Sequence, residues 1–376
     1  MVSESINVDL VRRSLVRLAD HASVELLSKQ PHWGDAILCD GLLAASDALK
    51  DDAPAAAAHE WFARKLATGP RLDGWFWFWA AEALPALTLH RRTGRAEYRD
   101  YARKIIDAFE STAATTPDGA LVPHPPALEV WVDLSYFTAP AMARYGSLLG
   151  DRAKIEWAAN QMLAHLNRLL DPATGLFWHV AYVEKKSHSP CLWARGNSWF
   201  SIASADVLQV LDLQDTSEDL RGPNPGGSIR KKLDAIENAV VRQLNAVIAL
   251  QDASGLWHTV IDRPDAYLEA SSAAGFAYAL GWAIFYRYRG LDVARARIAY
   301  ARALNAMCRK INGQGEFTDV SQQTPPGDFE FYNSIEVGTA PYATGICLQA
   351  LSNAIVRSRD TAPDPHETGR RWLTKM

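Results

Sequence analysis

The sequence predicts an all-α chain folded as a single (α/α)6 barrel over residues 1–376, and three observations carry that expectation. Twelve stretches repeat apolar residues at helical spacing, with no convincing alternating strand run between them. The even-numbered stretches are apolar nearly all round, and the odd-numbered ones, from the fifth onward, are amphipathic. A helix apolar on every side is buried, whereas an amphipathic one keeps a wet face, so strict alternation describes two concentric rings. The third observation is a recurring unit before the inner helices. It runs Asp118-Gly119-Ala120-Leu121 to His124, Thr174-Gly175-Leu176-Phe177-Trp178 to His179 and Ser254-Gly255-Leu256-Trp257 to His258, and returns as Gly313-Gln314-Gly315-Glu316-Phe317.

In chain order, the helices are expected over 8–27, 33–49 (after Pro31), 55–66, 75–89, about 98–109, 134–149, 155–169, 200–213, 236–247, 270–288, 293–311 and 339–356. Turns leaving the even helices are short and carry a glycine, as in Arg92-Thr93-Gly94-Arg95 and Leu149-Gly150-Asp151. Loops entering them are long, over about 115–132, 171–194, 251–268 and 312–338. Long loops gathered at one end of a scaffold are where function sits. Residues 216–228 form a Gly/Pro-rich connector expected to be mobile, and the polar tail from about 357 is assigned no function.

Composition narrows the function classes. The formal net charge is -4 with no basic run, so neither nucleic acid nor an anionic membrane is an expected partner. No apolar stretch long enough for a signal peptide or a membrane span is visible, and a cytoplasmic location is expected. The four cysteines show no CxxC spacing, which argues against a disulfide framework or a zinc knuckle. HExxH, P-loop and GxGxxG patterns are absent, so no metal and no cofactor is expected. Thirteen Trp, twelve Tyr and twelve Phe, clustered, suit a sugar ligand.

The run Trp193-Ala194-Arg195-Gly196-Asn197-Ser198-Trp199 packs stacking faces and a guanidinium fork into seven positions. A ring-shaped ligand bearing a carboxylate would use both, although core anchors and a structural ion pair are the plainer reading. Asp73 and Asp133 occupy equivalent places before neighbouring inner helices, and two carboxylates across a cleft are a minimal kit for acid/base work on a sugar. Asp133 lies among Trp131, Val132, Leu134, Tyr136 and Phe137, whose desolvation is expected to raise its pKa toward that of a proton donor. Asp73 serves equally as a helix N-cap. His124 and His179 are expected to hydrogen-bond ligand hydroxyls and His258 to be structural; Glu269 either caps its helix or meets substrate.

Together Trp131-Val132-Asp133, Gly175-Leu176-Phe177-Trp178-His179, the run Trp193 to Trp199, Gly255-Leu256-Trp257-His258 and Tyr267-Leu268-Glu269-Ala270-Ser271 resemble glycoside hydrolase family 105, the unsaturated rhamnogalacturonyl hydrolases. The related family 88, unsaturated glucuronyl hydrolases, lies further off. The resemblance implies removal of a 4,5-unsaturated uronic acid from lyase-generated oligosaccharides, with Asp133 as general acid/base and Asp73 assisting. It implies substrate-binding roles for His124, His179, Trp193, Arg195 and Trp199. Two other readings are a sugar epimerase of the N-acylglucosamine 2-epimerase type, with His124 and His179 as paired bases, and a non-catalytic carbohydrate-binding protein.

Overall fold

The computed structural model describes residues 5–28, 30–72, 76–111, 114–215 and 226–359. Six outer helices, α1 (Val8–Ser28), α3 (Ala53–Thr68), α6 (Ala96–Ser111), α8 (Arg152–Leu169), α10 (Gly226–Ala249) and α12 (Val293–Arg309), surround an inner ring. The inner helices are α2 (Asp35–Leu49), α5 (Ala83–Thr93), α7 (Asp133–Leu149), α9 (Ala194–Asp215), α11 (Ala270–Phe285) and α14 (Pro341–Arg359). Each inner helix packs on the next, and α14 packs back on α2, which closes the (α/α)6 barrel. That closure rests on Gly41 and Gly345. A Cβ on Gly41 would run into the backbone of Gly345, and one on Gly345 into Ile37 and Leu38, so larger residues would push the ring open.

The expected fourth helix is in fact two. A short α4 (Phe76–Trp79) and a 3-10 turn over Ala80–Glu82 precede α5. Pro85 stands third in α5, where its missing N–H costs nothing; one turn later it would break the helix. Sequence periodicity also missed α13 (Phe329–Ser334), opened by Asp328, which accepts from the Phe331 amide at 2.9 Å. The eighth helix starts six residues earlier than expected, at Ala194. Part of the Gly/Pro-rich connector (216–225) and all but the start of the tail (360–376) lie outside the described residues.

The recurring loop unit folds alike each time. Gly119, Gly175, Gly255 and Gly315 all take the left-handed conformation, with φ of 88, 80, 90 and 87°. The apolar and aromatic residues that follow, Leu121, Phe177, Trp257 and Phe317, are buried between the rings. Short antiparallel pairings then cross the barrel mouth. These are β1 (Glu129–Trp131) with β2 (Val180–Tyr182), β2 with β3 (Ser187–His188), β4 (Trp257–His258) with β5 (Leu268–Glu269), and β6 (Val320–Ser321) with β7 (Val337–Gly338).

Deeper in the barrel, every inner helix contributes a polar side chain to one network. Arg144 (α7) bridges Asp40 (α2) and Asp206 (α9) at 3.1 and 3.0 Å. Thr88 (α5) and Gln349 (α14) donate to Asp40 at 2.8 and 3.3 Å, and Tyr278 (α11) donates to Asp206 at 2.5 Å. A cavity of about 670 Å³ opens on this network. Its acids are committed to one another's partners, so its size does not make it the reactive centre.

One buried group sets an acid limit on stability. His165 on α8 is fully buried and donates from Nδ1 to the Gln161 carbonyl at 2.8 Å; burial lowers its pKa to about 4. Between that value and the ordinary 6.5, the unfolded chain takes up a proton that the folded chain refuses, so stability falls as pH falls. By pH 4.5 the loss from this group should be about 2–3 kcal/mol. His165→Gln, neutral throughout, should remove that part of the difference in urea-unfolding free energy between pH 7 and pH 4.5. An unchanged difference would remove His165 as its source.

Candidate active site

The candidate site lies where the N-terminal ends of the inner helices meet the loop hairpins. The pairing of Trp131 with Val180 brings the chain before α7 beside the chain before β2, and Val132 N donates to His179 O at 3.0 Å. This register places His179 against Asp133, with Nε2 and Oδ2 3.3 Å apart. Asp133 is the first residue of α7, and the N-cap position before it falls to Val132, whose side chain makes no capping hydrogen bond. The Asp133 carboxyl is 11% exposed; Oδ2 is buried without a hydrogen-bond partner among the described residues, which leaves Oδ1 as the oxygen that reaches the cavity.

On the other side of His179, its Nδ1 lies 2.6 Å from the Tyr332 hydroxyl, supplied by α13. Burial foremost, with Cys191 next, holds the Tyr332 phenol pKa far above its ordinary value. His179 itself is 1% exposed.

Asn197 explains how the opening of α9 is aimed. It accepts from Phe177 N at 2.8 Å and donates to Phe177 O at 2.9 Å, fastening the loop unit that carries His179. Trp193 packs on His179 with ring centroids 4.3 Å apart, and the Arg195 guanidinium lies 4.5 Å from the Trp193 ring. Trp199 stacks on Tyr136 at 4.8 Å.

A cavity of about 520 Å³ is lined by Asp133, by the aromatic side chains of Trp33, Phe78, Trp131, Trp193 and Trp199, by Arg195, and by Gln323, Thr324 and Pro325. This gathers four of the residues singled out in the sequence: Asp133, Trp193, Arg195 and Trp199. An acid in an aromatic chamber beside a guanidinium suits proton transfer to a flat, anionic sugar ring.

Three expectations need correction. The Arg195 fork is not open to a carboxylate. Nη1 donates to Ser321 O and Tyr342 Oη, each at 2.7 Å, and to Ser321 Oγ; Nη2 donates to Gln322 O at 2.8 Å and Thr324 Oγ1 at 2.9 Å. With its terminal N–H groups engaged, Arg195 offers a ligand its charge and holds the 321–324 segment against α9. His124 and His179 do not line the cavity. They flank Trp131 edge-on at 5.1 and 5.6 Å, so they are not paired bases on two faces of one carbon, as an epimerase requires. Burial lowers the His124 pKa.

Asp73 lies outside the described residues. Glu269 caps α11, accepting from Ser271 N at 2.7 Å and Ser272 N at 2.8 Å. His258 Nδ1 meets the Ala266 carbonyl at 2.5 Å, a structural contact within its hairpin. Tyr332 and the Ser321–Thr324 partners of Arg195 were not found from sequence. The only available signal was the cluster Tyr332-Asn333-Ser334 before the last inner helix. Among the described residues, no three His, Cys, Asp or Glu side chains are grouped to hold a metal ion, and no helix is long and apolar enough to cross a membrane.

A family model described as Glycosyl Hydrolase Family 88 matches residues 7–357. The unsaturated rhamnogalacturonyl hydrolase YesR of Bacillus subtilis is 30% identical over 201 residues, covering 52% of this chain and 54% of that protein. The chain thus spans about half the length of the curated relatives it matches. Two crystal structures, each described as a possible member of GH105, share the fold. The one from Salmonella enterica has a TM-score of 0.80 at 24% identity, covering 92% of this chain and 95% of the other. The one from Klebsiella pneumoniae has a TM-score of 0.79 at 25% identity, covering 92% and 94%.

Proposed function

We propose that this chain, which belongs to glycosyl hydrolase family 88, removes a 4,5-unsaturated uronic acid from the non-reducing end of oligosaccharides left by polysaccharide lyases. The observation that carries the reading is Asp133. It is the one acid lining the cavity among the described residues, with one oxygen buried against His179 and the other open to an aromatic chamber beside Arg195. Kinship with YesR, named an unsaturated rhamnogalacturonyl hydrolase, supports the same substrate class.

The C4–C5 bond of such a sugar is an enol ether conjugated to a carboxylate. Asp133 gives its proton to C4, leaving an oxocarbenium-like centre at C5. The carboxylate it has become takes a proton from water as that water bonds to C5. The hemiketal opens by breaking C5–O5, which leaves a ketone at C5 and a hemiacetal at C1. That hemiacetal collapses to an aldehyde and releases the next sugar as an alcohol.

In this reading the stacked walls hold the flattened ring, and the Arg195 charge together with converging helix N-termini favours the substrate carboxylate. Trp193 and Trp199 contribute ring faces. His124 and His179 act behind the wall, and Asp73 is the assisting carboxylate carried over from the resemblance.

Incubation with a panel of lyase-generated disaccharides tests the reading. The conjugated enol-ether absorbance should disappear for at least one uronyl linkage, with release of the partner sugar. Binding of every member without loss of absorbance would instead mark a carbohydrate-binding protein.

A further inference from the structure

We propose that Tyr332 is a positioning residue that, through the tautomer of His179, keeps the working proton of Asp133 on Oδ1, the oxygen facing the cavity. The proposal rests on the reading of Asp133 as the proton donor.

The argument begins at the phenol. Tyr332 is fully buried, and burial disfavours the phenolate, so Tyr332 keeps its proton. Its buried hydroxyl has no other hydrogen-bond acceptor among the described residues, so its proton is satisfied only by donating across the 2.6 Å to His179 Nδ1. A neutral imidazole carries one N–H. If Nδ1 accepts, the proton is on Nε2, and Nε2 faces Asp133 Oδ2 at 3.3 Å. Both atoms are buried without a hydrogen-bond partner among the described residues, so the pair stands close but short of hydrogen-bond geometry. The distance suits a hydrogen bond that tightens as substrate fills the chamber.

An Nε2–H beside Oδ2 makes Oδ2 an acceptor in both states of Asp133. When the carboxyl is protonated, its proton must then sit on Oδ1, which is open to the cavity. When that proton has gone to C4, the negative charge left behind faces an N–H donor. The opposite tautomer inverts the arrangement. A bare Nε2 would draw the acid proton onto Oδ2, which is buried and points away from the ring to be protonated. Tyr332 selects between the two because a bare Nδ1 is what its hydroxyl needs.

Two measurements on the full chain test this. In protein labelled with ¹⁵N-histidine, the His179 ring, assigned by its loss in His179→Asn, should show a bare Nδ1 and a protonated Nε2 at neutral pH. Tyr332→Phe keeps the ring but removes the donor, so the Nδ1–H form should become populated. On a lyase-generated disaccharide this variant should lose roughly tenfold or more in kcat with KM changed less than about twofold. A protonated Nδ1 in the unsubstituted protein overturns the proposal, as does a Tyr332→Phe variant with unaltered tautomer and kcat. The nuclear resonance experiment needs no substrate. Failure to turn over any unsaturated sugar would sink the functional reading while leaving the tautomer result to stand or fall by itself.

Discussion

Replacing Asp133 with Asn is expected to lower turnover by roughly two or more powers of ten while leaving the fold intact. Asparagine has the size and polarity of aspartate but cannot give a proton to carbon and regain it from water. The fold should survive because Asp133 is the first residue of α7 and not its N-cap, a position that falls to Val132. The amide oxygen of asparagine can also take the place of Oδ2 opposite His179 Nε2, 3.3 Å away, with the amide nitrogen turned to the cavity. Initial rates on a cleaved disaccharide, with a melting temperature alongside, check this. A folded Asp133→Asn protein with near-normal turnover would remove Asp133 from the chemistry and reopen the choice of proton donor.

The place of Asp133 in the cavity wall was legible in the sequence because its signal is local. An acid between Trp131 and the aromatic start of an inner helix declares both its position and its surroundings within a few residues. The ring order was legible for a similar reason, since burial on all sides or on one leaves a periodic trace. What sequence reasoning lost was set by contacts between distant segments. Arg195 meets Ser321 and Tyr342, 126 and 147 positions away, and no periodicity reports that these acceptors would occupy its N–H groups. Tyr332 meets His179 across 153 positions, from a one-and-a-half-turn helix too short to leave a pattern. The split before α5 was readable in principle from Pro85, but the apolar run from Trp75 to Leu89 masks the break. The short strands failed because two or three residues cannot show alternation, even where their register, as in Trp131 with Val180, fixes the site.

The second large effect separates hydration of an enol ether from ordinary glycoside cleavage. A conventional glycosidase protonates the glycosidic oxygen and attacks C1, and it works with two carboxylates whose separation sets the stereochemical outcome. Among the described residues the chamber presents one acid, Asp133, amid aromatic side chains. Proton delivery to carbon requires the C4–C5 double bond, so the saturated counterpart of a cleaved disaccharide should bind without measurable cleavage. In heavy water the released uronate should carry deuterium at C4 on one face only, because Oδ1 reaches the ring from a single side. With oxygen-18 water and rapid quenching, label should enter at C5 before C1. A glycosidase acting at C1 would release the unsaturated sugar itself. Later tautomerisation in solution would then place deuterium on both faces. Rapid cleavage of the saturated sugar, or deuterium on both faces at the earliest times, would assign this site a different reaction.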